Sequence, residues 1–95
     1  GVRRVLFRSG AVVKNSMVAD GCVIDGTVIN SILFRGVKIK KGTVVKDSII
    51  MQGTEIYEDC TIANVILDKE VIVKSTRTLI GQSNYPIVIG KNAVV

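Results

Sequence analysis

Aliphatic residues recur every six positions along most of this chain, and this period restricts the possible folds more than any other feature. The runs that carry it are Val18 and Ile24; Leu33, Ile39 and Val45; Ile50, Ile56 and Ile62; and Leu67 and Val73. Four residues after most of these stands a compact or β-branched residue, namely Cys22, Val37, Thr43, Thr54, Cys60 and Val71. Positions i and i+6 lie on different faces of an α-helix, so the period excludes a helical reading. A strand followed by a corner fits six residues, and three such units make one triangular coil of a parallel β-helix.

A longer repeat sets the size of each coil. Segments 10–16 and 42–48 differ at two positions, and the steps between Val18, Leu33, Ile50 and Leu67 are 15, 17 and 17 residues. A corner pair precedes each of these four residues: Asn15-Ser16, Asn30-Ser31, Asp47-Ser48 and Asn64-Val65. Asn and Asp suit corners with positive φ and can hydrogen-bond along their own column. We predict an all-β, left-handed parallel β-helix of hexapeptide repeats over residues 10–73, with about four to five coils in the whole chain.

Both ends of the chain depart from the six-residue pattern. Residues 1–9 show no such register, so we predict a non-repeat head and hypothesise that it is foreign to the gene. After Val73 the pattern stops, and residues 74–84 are interpreted as a polar connection. Tyr85-Pro86 favours an extended dipeptide before Ile87-Val88-Ile89, and Gly90-Lys91-Asn92 begins one more turn that the chain does not finish. Residues 74–95 are therefore predicted to form a polar connection and a partial last coil, and we expect the C-terminus to be cut.

Composition excludes several functional classes. The chain holds 35 Val, Ile and Thr residues against 4 Leu, which favours strands. Of its net charge of +5, three charges come from Arg3, Arg4 and Arg8, which leaves 10 − 8 = +2 for the rest. The absence of histidine removes imidazole bases, His-ligated zinc and Ser-His or Cys-His pairs. No apolar run approaches the roughly 20 residues of a membrane span, so we expect a cytoplasmic protein with no membrane contact.

Four stretches of the sequence, at 13–51, 64–69, 79–81 and 85–91, resemble the C-terminal β-helix domain of bacterial ADP-glucose pyrophosphorylases. The resemblance spans residues 10–95. Catalytic members of that family tend to have Met-Pro where this chain has Met51-Gln52. They also lack the sequence motifs that this chain has at Asp68-Lys69 and Leu79–Gly81. The chain is therefore more similar to the D-type, largely regulatory subunit.

The resemblance implies a part of a glucose-1-phosphate adenylyltransferase-like subunit in glycogen biosynthesis. In that family a larger N-terminal nucleotidyltransferase domain handles ATP, Mg²⁺ and glucose 1-phosphate, while the β-helix serves assembly and regulation. None of that domain's motifs occurs here, so no catalytic, cofactor-binding or metal-binding residue is carried over. We expect no catalysis by this chain alone, no cofactor of its own, and partners in the nucleotidyltransferase domain and a second subunit, within a hetero- or homo-oligomer.

Two other readings stay open, and several are rejected. The open ones are a β-helix appendage of another sugar-nucleotide pyrophosphorylase and a purely structural hexapeptide-repeat interaction module. Hexapeptide acyltransferases and γ-class carbonic anhydrases use histidines that are absent here, and no Thr-x-Thr column suggests ice binding. The basic stretch at Lys38, Lys40 and Lys41 lacks aromatic partners for base stacking, so we expect no nucleic-acid binding.

Two sets of candidate site residues follow. The resemblance makes Arg77 and Lys91 candidate effector contacts, with an ordinary solvated role as the alternative. The second set comes from strand alternation, which points residues i−1 and i+1 away from the core. On the side led by Val18, Leu33, Ile50 and Leu67 the outward residues are nearly all apolar, whereas the side led by Ile24 is largely polar. We call this apolar set the docking face and predict that it binds a partner: Met17, Ile32, Phe34, Ile49, Met51 and Ile66.

Overall fold

The computed structural model describes residues 4–95, so the first three residues of the predicted head lie outside it. Its regular elements are fifteen β-strands in three five-stranded parallel sheets. Sheet 1 contains, in spatial order, β1 (Leu6–Phe7), β4 (Val23–Ile24), β7 (Lys38–Ile39), β10 (Glu55–Ile56) and β13 (Ile72–Val73). Sheet 2 contains β2 (Val12–Lys14), β5 (Thr27–Ile29), β8 (Val44–Lys46), β11 (Thr61–Ala63) and β14 (Thr78–Ile80). Sheet 3 contains β3 (Met17–Val18), β6 (Ile32–Leu33), β9 (Ile49–Ile50), β12 (Val65–Leu67) and β15 (Ile87–Ile89).

Successive strands visit the three sheets in turn, which makes a left-handed β-helix that measures 34 × 23 × 22 Å. The predicted fold class is confirmed. Among the described residues, no helix is long and apolar enough to cross a membrane.

The strand register confirms the predicted inward columns. In sheet 1, Ile24, Ile39, Ile56 and Val73 are paired in one line, and in sheet 3 the line is Val18, Leu33, Ile50 and Leu67. A third line in sheet 2 joins Val28, Val45 and Ile62. Apart from Val18 in the first coil, every one of these side chains is at most 1% exposed. Each coil thus buries its aliphatic residues against the coils on both sides, and this stacking forms the core.

The compact residues beside these columns do more than fit a narrow interior. Thr54 is fully buried; its hydroxyl donates to the carbonyl of Asp68 at 2.7 Å and accepts from the amide of Val71 at 3.1 Å. Ser16, Ser31 and Ser48 accept similar hydrogen bonds from the next coil. The Ser16 hydroxyl accepts from the Ser31 amide 15 residues further on, and the hydroxyls of Ser31 and Ser48 accept from the amides of Ser48 and Val65, each 17 residues further on. Hydroxyl groups therefore bridge neighbouring coils inside the prism, which offsets the cost of burying them.

One residue with positive φ stands at nearly every corner. Between sheets 2 and 3 these residues are Asn15, Asn30, Asp47 and Asn64, with φ between 47° and 53°. The predicted side-chain ladder is present, because the Asn15 amide donates to Asn30 at 2.9 Å and the Asn30 amide donates to Asp47 at 2.6 Å. Between sheets 3 and 1 the corner residues are Gly21, Gly36, Gly53, Glu70 and Asn92. The sequence analysis assigned corners only to Asn and Asp and so missed this second column.

The coils extend further than the six-residue pattern predicted, at both ends. Leu6–Phe7 pairs in parallel with Val23–Ile24, so part of the predicted non-repeat head adds a strand to sheet 1. Thr78–Ile80 pairs with Thr61–Ala63, which places Leu79 in the column of Ile62 rather than in a polar connection. The predicted absence of register at residues 6–7 and 78–80 is therefore wrong, because backbone pairing continues where the side-chain pattern fades. The foreign origin of the head stays a hypothesis.

The two cysteines lie in different columns, and both are free and buried. The Cys22 thiol donates to the Phe34 carbonyl at 3.1 Å, and the Cys60 thiol donates to the Lys74 carbonyl at 3.1 Å. Burial raises the pKa of the Cys22 thiol. The structure therefore shows two buried core thiols and no bridge between them.

We expect an intact mass under non-reducing conditions that corresponds to two free thiols. Cys22 should react with iodoacetamide much more slowly in the folded chain than in urea, since the thiolate is the nucleophile. The raised pKa also has a consequence for stability: the unfolded chain loses this proton first, so stability should fall as the pH rises above the ordinary thiol pKa of 9.0. An intramolecular disulfide in the folded chain would contradict the assigned register.

Candidate interaction surface

The docking face lies on the outer side of sheet 3. One row of outward side chains runs straight along the prism, because strand pairing aligns Met17, Ile32, Ile49, Ile66 and Val88. A second row, on the other side of the inward column, contains Ala19, Phe34, Met51 and Asp68. Parallel strands lie about 4.8 Å apart, so neighbours within a row are in side-chain contact. The structure therefore brings all six predicted docking residues together on one sheet.

Exposure is greatest at the N-terminal end of this face. Met17 is 70% exposed, Phe34 46% and Ile32 38%, whereas Ile49, Met51 and Ile66 are half-buried. A groove of about 450 Å³ lies at the exposed end and is lined by Met17, Val18, Ala19, Ile32, Leu33 and Phe34. Hydrophobic side chains that line a groove and face solvent are typical of a surface that binds another protein.

The other two faces differ from the docking face in charge. Sheet 1 presents Lys38 beside Glu55, and the Lys40 ammonium lies 5.1 Å from the centre of the Tyr57 ring. Sheet 2 presents β-branched residues such as Val12 and Val44 but is interrupted by Lys14 and Lys46. Asp68 is the only charged residue in the two rows of the docking face. Of the three faces, sheet 3 is therefore the best suited to an apolar partner.

Segment 74–84, which the sequence indicated as a polar connection, does not lie over the docking face. Thr78–Ile80 is in sheet 2, where it pairs only with β11. Gln82 and Tyr85 close a turn at the corner between sheets 2 and 3. Since Met17, Ile32 and Phe34 remain exposed, no described part of the chain covers the N-terminal half of the docking face.

The two candidate effector residues are not brought together. Arg77 lies at the corner between sheets 1 and 2, where its carbonyl accepts a hydrogen bond from Thr61. Lys91 lies at the corner between sheets 3 and 1, beside Asn92. Both side chains are exposed. A role for either residue in effector binding therefore stays a prediction, and the geometry gives it no additional support.

Within residues 4–95 there is no group of three or more carboxylate or thiol side chains placed to hold a metal ion. The buried side-chain oxygen and nitrogen atoms of these residues all have hydrogen-bond partners. The buried hydroxyl groups are thus engaged in linking coils.

Sequence reasoning missed three exposed apolar residues at the C-terminal end: Ile80 at 55%, Tyr85 at 80% and Val88 at 65%. Val88 continues the first row of the docking face. The six-residue spacing did not identify them, because the extra residues between Ile80 and Ile87 interrupt the period. The Ile87-Val88-Ile89 run itself could have indicated a strand.

Comparison with known proteins identifies two relatives and a family. The glycogen biosynthesis protein GlgD of Bacillus subtilis is 48% identical over 82 residues, which cover 86% of this chain and 24% of that protein. A glucose-1-phosphate adenylyltransferase of Bacillus thuringiensis is 33% identical over 79 residues, which cover 83% of this chain and 21% of that protein. The chain thus spans about a quarter or less of these relatives, and no solved structure matches it at comparable significance. Residues 5–85 match the family described as GlmU-like, C-terminal hexapeptide, and the chain belongs to that family.

Proposed function

We propose that this chain is the oligomerisation and regulatory β-helix domain of a GlgD-type, glucose-1-phosphate adenylyltransferase-like subunit in glycogen biosynthesis. The 48% identity to GlgD across 86% of the chain is the observation that carries the proposal. The adenylyltransferase relatives match nearly the same length at 33%, which supports the same family role with weaker similarity. The domain works in the cytoplasm and acts by binding rather than by catalysis.

The docking face supplies the binding surface in this proposal, and its occupant is a nucleotidyltransferase domain. The surface consists of two adjacent rows in which Asp68 is the only charged residue, and no described segment lies over its exposed half. The matched segment covers 24% of GlgD and 21% of the adenylyltransferase, so most of each relative lies outside it and could contain the domain that such a surface contacts. Burial of Met17, Ile32 and Phe34 would then stabilise the assembly through the hydrophobic effect.

The test is a binding measurement between the purified chain and the glucose-1-phosphate adenylyltransferase encoded in the same genome. We expect the two proteins to co-elute in size-exclusion chromatography and the complex to contain both. Absence of any complex over a range of concentrations and salt would contradict the proposed function. It would favour a purely structural module or an appendage of a different pyrophosphorylase.

The variant Ile32→Glu with Ile49→Glu should abolish association through the docking face. These two residues are direct neighbours on β6 and β9, so the double variant places two carboxylates in the centre of the apolar row. We expect the parent chain without partner to self-associate through this exposed surface and the variant to sediment at the monomer mass of 10.2 kDa.

A matched control is Thr27→Glu with Val44→Glu. These residues are also direct neighbours on adjacent strands, but they face outward on sheet 2. The control carries the same repulsion between stacked carboxylates, which costs a modest amount of stability. It should associate like the parent chain, and the β-sheet circular dichroism of both variants should match the parent. Loss of that signal only in the sheet 3 variant would show that this row faces the core.

A further inference from the structure

The corner between β14 and β15 differs from every equivalent corner in the prism. Between β11 and β12 only Asn64 separates the two strands, whereas residues 81–86 separate β14 from β15. Gln82 and Tyr85 exchange two backbone hydrogen bonds of 3.0 Å, which close a turn over Ser83 and Asn84. The extra residues therefore form a short, hydrogen-bonded loop, which we call the Tyr85 loop and define as residues 81–86.

The base of this loop is fixed to the coil beneath it. The amide of Gly81 donates to the Ala63 carbonyl at 2.9 Å, and the amide of Ile87 donates to the Asn64 carbonyl at 3.1 Å. Gly81 is buried, and a Cβ there would overlap the Asn64 carbonyl oxygen and lie 2.6 Å from the Ile87 nitrogen. Pro86 further restricts the backbone. The loop is thus held in one position before any partner binds.

Tyr85 has no comparable restraint on its side chain. It is 80% exposed, and in the sequence it lies between Ile80 on β14 and Val88 on β15, which are 55% and 65% exposed. The other tyrosine, Tyr57, is half-buried and contacts Lys40 within the chain. No residue from 82 to 89 is charged. An exposed aromatic ring on a hydrogen-bonded loop that contains no charged residue has the properties of an interface anchor.

We propose that the Tyr85 loop is an anchor for the nucleotidyltransferase domain that occupies the docking face. This inference rests on the proposed function and extends its surface around the corner of the prism. Val88 is the next residue after Ile66 in the first row of the docking face, so the loop and the face form one continuous surface. The partner then contacts sheet 3 and the corner together, and Tyr85 enters an uncharged, apolar pocket of that domain.

The physical advantage of such an anchor is that its ordering cost is met during folding. Side chains and loops that become fixed on binding lose conformational freedom, and this loss weakens the complex. Here the turn hydrogen bonds, Gly81 and Pro86 already fix the backbone, so only the tyrosine rotamer remains to be ordered. The burial of the ring can therefore contribute nearly in full to affinity.

The test compares Tyr85→Ala with the parent chain in binding to the same glucose-1-phosphate adenylyltransferase, measured by biolayer interferometry. We expect Kd to rise about thirtyfold, the loss typical of an aromatic anchor. Tyr85→Phe keeps the ring and should change Kd by less than about threefold, because the burial of the ring dominates. Tyr57→Ala, on the polar face of sheet 1, should leave Kd unchanged. Urea unfolding of Tyr85→Ala should match the parent, since this side chain contributes little to the core.

The possible results separate this inference from the proposed function. If Tyr85→Ala binds like the parent while Ile32→Glu with Ile49→Glu does not bind, the anchor is refuted and the docking face stands. If Tyr57→Ala weakens binding and Tyr85→Ala does not, the partner lies on sheet 1 and both proposals are wrong. If the parent chain does not bind the enzyme at all, the proposed function is overturned and the anchor with it.

Discussion

Replacing Ile56 with alanine should lower the free energy of unfolding by about 2–5 kcal/mol. The Ile56 side chain is 0% exposed and lies between Ile39 and Val73 in the inward column of sheet 1. The β-helix interior is narrow and its backbone is fixed by the sheets on all sides, so the neighbouring coils can close little of the resulting cavity. Since domains of this size are stable by about 5–15 kcal/mol, the loss is a large fraction of the total. Urea unfolding followed by circular dichroism measures it.

Ile72→Ala is the matched control for this experiment. It removes the same atoms from the neighbouring strand of the same sheet, but Ile72 points outward and is 37% exposed. We expect a cost of about 1 kcal/mol or less, because most of the transfer free energy is absent and no internal cavity forms. Equal losses at both positions would mean that the inward and outward assignments of sheet 1 are wrong.

The inward columns could be predicted from the sequence because of a simple geometric constraint. A strand and corner of six residues return the chain to an equivalent position on the next side of the triangle, so Leu33, Ile39 and Val45 point inward. A shift by one residue would expose all three, which makes the pattern strong wherever the coil is enclosed on both sides. The same reasoning identified the docking face, whose six predicted residues lie in two adjacent rows of sheet 3.

The pattern fails at the ends of the prism, where fewer side chains are enclosed. Arg77 occupies the column position of Thr43 and Cys60, which are buried, yet Arg77 itself is exposed. In the structure the Arg77 side chain is exposed, so its length causes no clash with the core. Backbone hydrogen bonds between coils do not depend on side-chain identity, so β14 forms although the sequence around it lacks the compact residue. A search for compact residues therefore finds the middle of a β-helix and not its ends.

The surface at the C-terminal corner could not be predicted for a different reason. A loop insertion leaves the strand pairing intact, since Ile87–Ile89 still pairs with Val65–Leu67, but it changes the sequence distance between equivalent residues. The six-residue period therefore did not identify Val88 and Tyr85 as exposed residues, because the loop changes their distance from the preceding coil. Strand pairing determines which residues become neighbours, and the entropic cost of closing a loop between two strands increases only slowly with its length.

The substitution Gly26→Ala should be nearly as destabilising as the loss of a core isoleucine, by about 3 kcal/mol. Gly26 is buried at the corner between sheets 1 and 2 of the shortest coil, where Ile24 and Ile39 are 15 residues apart instead of 17. With two residues fewer, the backbone passes close to the next coil. A Cβ at this position would overlap the Thr43 carbonyl oxygen and lie 3.0 Å from the Lys40 carbonyl oxygen and 3.1 Å from Ile39 Cγ2.

Two of these three atoms belong to the backbone, so relief requires a shift of the coil rather than a change of rotamer. Gly90→Ala is the control, because no atom lies within 4 Å of a Cβ at this position and its φ is not positive. Its free energy of unfolding should stay within about 0.5 kcal/mol of that of the parent. Urea unfolding of both variants decides the matter. If Gly26→Ala is as stable as Gly90→Ala, the short coil is wider at this corner than the structure shows. A large loss at Gly26 alone would instead establish that the 15-residue coil depends on a residue without a side chain, because backbone atoms of the next coil occupy the space a methyl group would need.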